Sequence, residues 1–222
     1  MQKFATPAPV SAVLDVPAGR IRFIAADRSD STVEVLPANA SNGSDVKAAE
    51  RITVDYADGV LRIEAAPAKS RILGSSGAVE VTVQLPVGSH VEARTASGEL
   101  RGVGRLGDVA FEGAQGSVKL DETASARLVL MAGDITVGRL GGPAEISTQK
   151  GDISVAEAVR GTVTLRTEAG GISVGAARGV SAALDAGTGF GRVHNALRNA
   201  DGVAALSIHA TTAYGDITAR SL

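Results

Sequence analysis

The sequence predicts an all-β fold, a β-solenoid or β-helix-like stack of about seven two-stranded coils of roughly 18 residues each. Three observations carry this. A corner motif, Gly-[Asp/Glu]-[Ile/Leu/Val], recurs through the second half of the chain. Apolar and polar residues alternate strictly on both sides of it, the period of a half-buried strand. The 222 residues include 27 Gly, no Trp, two Tyr and four Phe. The core must therefore be thin and filled by Ala, Val, Leu and Ile.

In chain order, the first 88 residues are the looser part. Gly19 is preceded by Ala12 and Leu14 and followed by Ile21 and Phe23. Gly59 is preceded by Ile52 and Val54 and followed by Leu61 and Ile63. Extra strands are expected near Thr32–Leu36 and Val79–Leu85. Loops are expected at Asn39–Ser44 and at Lys69–Ala78, where turn-forming residues cluster. Residues 1–88 read as a β-sheet region that caps or continues the solenoid, and 89–222 as the repeat region, the two forming one continuous unit.

The repeat region is more regular. Corner glycines stand at 98, 116, 133, 151, 170, 191 and 215. Seven and five residues before them come pairs such as Val91 and Ala93, or Val163 and Leu165. Two and four residues after them come Ile135 and Val137, Ile153 and Val155, Ile172 and Val174. Three residues before the glycine stand Thr95, Thr148, Thr167, Thr188 and Thr212. By parity this Thr points inward, so its hydroxyl must bond a corner backbone group. Sustained helical periodicity is absent; only Glu157–Arg160 and Ala196–Ala200 could form a helical turn. A unit of two short strands cannot bury its own face but can when stacked. The alternative is a sandwich or barrel of antiparallel hairpins with Gly-Asp turns.

The chain also resembles a known family. The Ser/Thr-x-x-Gly-Asp-Ile/Val corners, the segment Val79–Pro86 before Gly88, and Val-Pro-Ala-Gly-Arg-Ile at 16–21 are similar to those of bacterial "putative adhesin" β-strand-repeat proteins. That is a domain family of unknown function. The resemblance runs from about residue 10 to 219 and implies the architecture, with no catalytic signature.

Formal net charge is −2 and there is no Cys. This excludes disulfides, thiolate metal sites and a cysteine nucleophile, and gives no basic excess for nucleic acid or anionic lipid. Met1–Pro7 opens no apolar run like a signal peptide's, and no window resembles a membrane span. The expectation is a cytoplasmic protein.

Few residues suggest chemistry. Arg105, Arg139, Arg160 and Arg178 lie five to nine residues after corner glycines and are candidates for a ligand stripe toward an anionic polymer. Asp134 and Asp152 share one corner position; without the nonapeptides of calcium-binding β-rolls, they read as solvated acids. His90, His194 and His209 have no metal-ligand spacing and read as surface residues. Gly187–Gly191 lacks the Lys and helix of a phosphate loop. No catalytic, cofactor or metal site is expected. Tyr214 and Phe190 precede corner glycines and should cover the C-terminal end of a tube otherwise too narrow for rings.

The functional expectation is a non-catalytic β-repeat scaffold or interaction protein. Its partner would be a protein or a repetitive polymer, and it could associate with itself through terminal coil edges. The coil Leu206–Ala219 is the expected edge. The alternatives are a carbohydrate-binding or carbohydrate-active β-helix protein and a self-assembling solenoid.

Overall fold

A computed structural model describes residues 1–66, 77–199 and 203–222. The expected loop Lys69–Ala78 lies largely outside the described residues, as does the end of Ala196–Ala200. The fold is all-β, with one short helix among the described residues. It divides into two compact units, Met1–Ala114 and Gln115–Leu222. The region boundary read at 88/89 falls just before strand β8, and the first unit runs on through the first part of that strand.

In the first unit, strands are β1 (Gln2–Ala5), β2 (Ser11–Asp15), β3 (Ala18–Ala26), β4 (Asp30–Pro37), β5 (Ile52–Ala57), β6 (Val60–Ala65) and β7 (Val79–Pro86). The opening of β8 (His90–Ala132) completes it. Three coils stack in parallel, each giving one strand to either sheet. Their order is not that of the chain. β2 lies between β6 and β8, with Ala12 beside Leu61 and Val91. β3 lies between β7 and β8, with Ile21 beside Val81 and Leu100. The first coil in sequence is thus an inner coil of the stack.

Antiparallel strands flank the outer coil of this unit. β5 pairs with β6, β4 with β7, and β1 with β4. The rings of Phe4 on β1 and Tyr56 on β5 meet at 5.6 Å. A helix, α1 (Gly43–Glu50), follows the loop at 39–42 and overlaps the last two residues of the loop expected at Asn39–Ser44; no helix was expected there. Asn42 caps it by accepting the Ser44 N–H, and buried Asp45 accepts the N–H groups of Ala78 and Asn39. Its eight residues make two turns, too short for a 3.6-residue period to stand out in the sequence. The core is aliphatic, yet Phe23 and Phe111 are fully buried. The interior of this unit therefore admits rings; Phe23 goes against the narrow-tube expectation, whereas Phe111 is a ring at which the sequence reading has the tube widen or end.

In the second unit, β8 continues to Ala132. It is followed by β9 (Ile135–Leu140), β10 (Ala144–Lys150), β11 (Ile153–Ala158), β12 (Gly161–Ala169), β13 (Ile172–Ala176), β14 (Ala182–Phe190), β15 (Val193–Ala196), β16 (Leu206–Tyr214) and β17 (Ile217–Ser221). Every pairing is parallel. One sheet runs β8, β10, β12, β16, β14; the other runs β8, β9, β11, β13, β17, β15. Glu157–Arg160 forms no helical turn: Glu157 and Ala158 end strand β11, held beside Arg139 and Leu140.

The corners explain the glycines. Gly151 has φ +142°, and a Cβ there would lie 2.1 Å from the Gly133 carbonyl oxygen. The carbonyl of each corner glycine packs on the next, in the order 116, 133, 151, 170, 215, 191. The Thr column bonds as expected. The hydroxyls of Thr148, Thr167, Thr212 and Thr188 donate to the carbonyls of Gly133, Gly151, Gly170 and Gly215 at 3.0–3.3 Å. Each hydroxyl, buried at Thr148, Thr167 and Thr212 and half-buried at Thr188, thus ties its coil to the adjacent one.

The stack corrects one expectation. The last coil in sequence, β16 and β17, is not an edge. It lies between the β12/β13 coil and the β14/β15 coil, so Leu206–Ala219 is paired on both sides.

Candidate functional site

The corner acids are structural. Asp134 Oδ1 accepts the Asp152 N–H at 2.9 Å, Asp152 Oδ1 accepts the Gly171 N–H at 2.7 Å, and Asp216 Oδ1 accepts the Arg192 N–H at 2.8 Å. Each carboxylate satisfies an amide of the neighbouring coil. That is a charge-assisted bond, and a more specific role than the solvated acids expected. Among the described residues no three His, Cys, Asp or Glu groups come together as a metal site.

Of the four arginines read as a stripe, three lie in the second unit, and there Arg139 is not in line with Arg160 and Arg178. Arg105 lies in the first unit. Arg139 is sandwiched in register between Glu122 and Glu157, at 3.9 and 2.6 Å. Arg160 and Arg178 are exposed and occupy equivalent positions on adjacent coils, each two residues past the paired Ala158 and Ala176. Varying offsets from the glycine hid this, because a bulge between Val155 and Ala158 shifts the register.

The histidines lie at the surface. His209 Nδ1 is 3.3 Å from Asp185 Oδ2, and His90 Nδ1 accepts the Asp108 N–H at 3.1 Å. His194 is exposed on β15. Phe190 and Tyr214 stack in parallel at 5.1 Å and stay 70% and 60% exposed. They do not seal the end of the core.

Among the described residues one ionisable group is clearly shifted. Asp30 accepts from the Arg28 guanidinium and pairs with Lys3, and these contacts hold its carboxyl at about 2. The pair with Lys3 bridges β1 to β4.

The remaining feature was legible only as the polar half of the alternation. On one sheet of the second unit, Lys119, Thr136, Ser154, Ser173, Thr218 and His194 stand side by side, one per strand. Adjacent parallel strands put such residues about 4.8 Å apart. Two positions on, the same strands hold Asp121, Gly138, Ala156, Gly175, Arg220 and Ala196. A Cβ on Gly138 or Gly175 would meet a neighbouring carbonyl at 2.5 or 2.3 Å, and the Leu222 side chain packs beside Gly175. A row of hydroxyls therefore borders a column whose middle is small and which is flanked by Asp121 and Arg220.

These features define a class: a parallel β-solenoid whose acids, corner hydroxyls and glycines serve the stack. The chain belongs to the Toastrack DUF4097 family, whose model matches residues 12–221. No curated protein matches it. Among solved structures it is similar to a putative lipid binding protein from Parabacteroides distasonis, at 11% identity and TM-score 0.50, covering 98% of this chain and 95% of that one. A putative adhesin from Bacteroides fragilis gives 12% identity and TM-score 0.45, with 98% and 95% covered. A putative cell adhesion protein from Clostridium sporogenes gives 11% and 0.42, with 100% and 98% covered. At these identities the likeness concerns the fold. No described helix is long and apolar enough to cross a membrane.

Proposed function

We propose that the protein is a non-catalytic scaffold that binds an extended, repetitive partner along the hydroxyl row. The observation that carries this is the ladder Thr136, Ser154, Ser173, Thr218 beside the strip Gly138, Ala156, Gly175. A polymer with hydroxyl or amide groups can lie flat there and meet a donor and an acceptor at every strand. The acid geometry supports the non-catalytic part. General acid–base cleavage needs two free carboxylates about 5–9 Å apart in a groove. Here Asp134, Asp152 and Asp216 are each engaged with backbone amides.

The test is cosedimentation with insoluble polysaccharides, with release of reducing ends followed in the same tubes. Binding without cleavage is expected, and Ser154→Arg with Ser173→Arg should abolish it. Released sugar, or binding indifferent to both substitutions, would overturn the reading. A cytoplasmic location belongs to the same proposal; recovery of the native protein in the membrane or the medium would overturn that part.

A further inference from the structure

Each unit finishes its outer coil in its own way. In the first unit, the edges of β6 and β7 are covered by the antiparallel strands β5 and β4. In the second, β14 and β15 each have one strand partner among the described residues, β16 and β17. Their inner positions are half-covered or open. Leu184, Ala186 and Thr188 are half-buried, and Val193 and Asn195 are exposed, although their neighbours Ile208, Ala210, Thr212, Ile217 and Ala219 are buried. The Leu206 N–H donates to the Ser181 carbonyl. That register turns the backbone groups of Leu184, Ala186 and Thr188 away from β16, toward the open edge.

Natural edges are blunted by Lys, Pro or bulges. β14, Ala-Ala-Leu-Asp-Ala-Gly-Thr-Gly-Phe, has no Lys, Arg or Pro. A Cβ on Gly187 would meet nothing within 4 Å. The Ala182 N–H, at the start of this edge, is taken by the Arg198 carbonyl of the same chain; among the described residues the edge from Leu184 to Thr188 is open to another strand.

The geometry points to a second copy of this chain as the occupant, joined two-fold so that β14 of each copy pairs antiparallel with β15 of the other. Charge complementarity selects this arrangement. β14 carries Asp185 and no base, whereas the stretch from Arg192 to Asn199 carries Arg192, His194 and Arg198 and no acid. Asp185 is on the outer face of β14, opposite His209. His194 and Ala196 are on the outer face of β15, beside Thr218 and Arg220. Antiparallel pairing that keeps inner side chains inside sets Asp185 opposite an outer-face residue of the second copy's β15, His194 or Ala196. The first register faces Asp185 with His194 directly; the second puts His194 and Arg198 at the diagonal positions, within side-chain reach. Two-fold symmetry makes the contact twice. The other two-fold, β14 on β14, would bring two Asp185 carboxylates together.

The inference goes beyond the hydroxyl-row reading, since it concerns strand edges. Cosedimentation with polymer and measurement of mass in free solution can fail separately. Sedimentation velocity of the full chain from low to high micromolar concentration should show a monomer–dimer equilibrium that weakens with salt. Ala186→Pro removes an outward N–H without touching the bonds to β16, and should weaken the dimer about tenfold or more. Asp185→Ala should also weaken it. Asp185→Arg and Arg198→Asp should each be monomeric alone and recover a dimer when mixed. These two surface variants keep the test valid if the proline variant misfolds. A monomer at every concentration, a dimer indifferent to Ala186→Pro, or one strengthened by Asp185→Ala would overturn the proposal.

Discussion

Replacing Gly151 by Ala tests the corner stack most directly. The new Cβ would stand 2.1 Å from the Gly133 carbonyl oxygen, where ordinary contact begins near 3.4 Å. The two coils must part by up to about 1.3 Å at that corner, or the corner must rebuild. Overpacking of this kind costs about 1–3 kcal/mol. The φ of +142° adds backbone strain of about 1–3 kcal/mol. The sum, about 2–6 kcal/mol, is large against the few kcal/mol that hold a domain folded. Gly187→Ala is the matched control, because nothing lies within 4 Å and φ is not in the strained range. It should change stability by no more than about 0.5–1 kcal/mol. Urea unfolding of both variants, read as a shift in midpoint at constant slope, measures the difference. If Gly151→Ala is no worse than Gly187→Ala, the glycine column does not exist for close coil approach and the argument fails.

Thr167→Val keeps the shape of a buried side chain but removes its bond to the Gly151 carbonyl, and should cost about 1–2 kcal/mol in the same assay. Asp152→Ala removes the acceptor for the Gly171 N–H. It should destabilise by about 1 kcal/mol and Asp152→Asn by less, with no rise in melting temperature on adding Ca²⁺. Asp30 titrates lower when folded than its ordinary 3.8, through Arg28 first and then Lys3. Its stabilising share is thus present above the ordinary value and is lost as pH falls through about 2. Wild-type protein should lose stability across that window more than Asp30→Asn, as read by unfolding at stepped pH. Arg160→Ala with Arg178→Ala should leave the melting temperature within about 1–2 °C, as exposed positions do. A loss of weak, salt-sensitive binding to a polyanion column would give the two arginines the ligand role first read for a longer stripe.

Much of the coil was legible because its demands repeat. Inward positions such as Val163, Leu165, Ile172 and Val174 follow from the period of two and are buried. The corner Thr followed from the need to satisfy a buried hydroxyl. The order of coils was not legible, since parallel stacking in chain order satisfies the same columns. A trace of it existed: the inner positions of β14 and β15 hold Leu184, Ala186, Thr188, Val193 and Asn195. That is a poorer set than Leu206, Ile208, Ala210, Ile217 and Ala219, which are all buried. The weaker coil takes the outside and the stronger the inside. The equivalence of Arg160 and Arg178 was not legible, because offsets counted along the chain ignore the bulge after Val155. The hydroxyl row was visible residue by residue, but which strands stand side by side along it depends on the same coil order.

The coil order also decides how the chain responds to being pulled or trimmed. In a solenoid stacked in chain order, tension on either end peels off one coil at a time, each held along one edge. Here β2 is clamped between β6 and β8, and β17 between β13 and β15. Force applied at the C-terminal side meets a strand zipped on both sides, which must shear before its neighbours can unwind; at the N-terminal side β1, paired with β4 alone, can peel first, and β2 must then shear. Removing residues 206–222 would not shorten the stack by its last layer; it would pull out a middle rung and strand β14 and β15. The second unit is fastened as a buckle is, with its last coil tucked under the turn that precedes it in the chain.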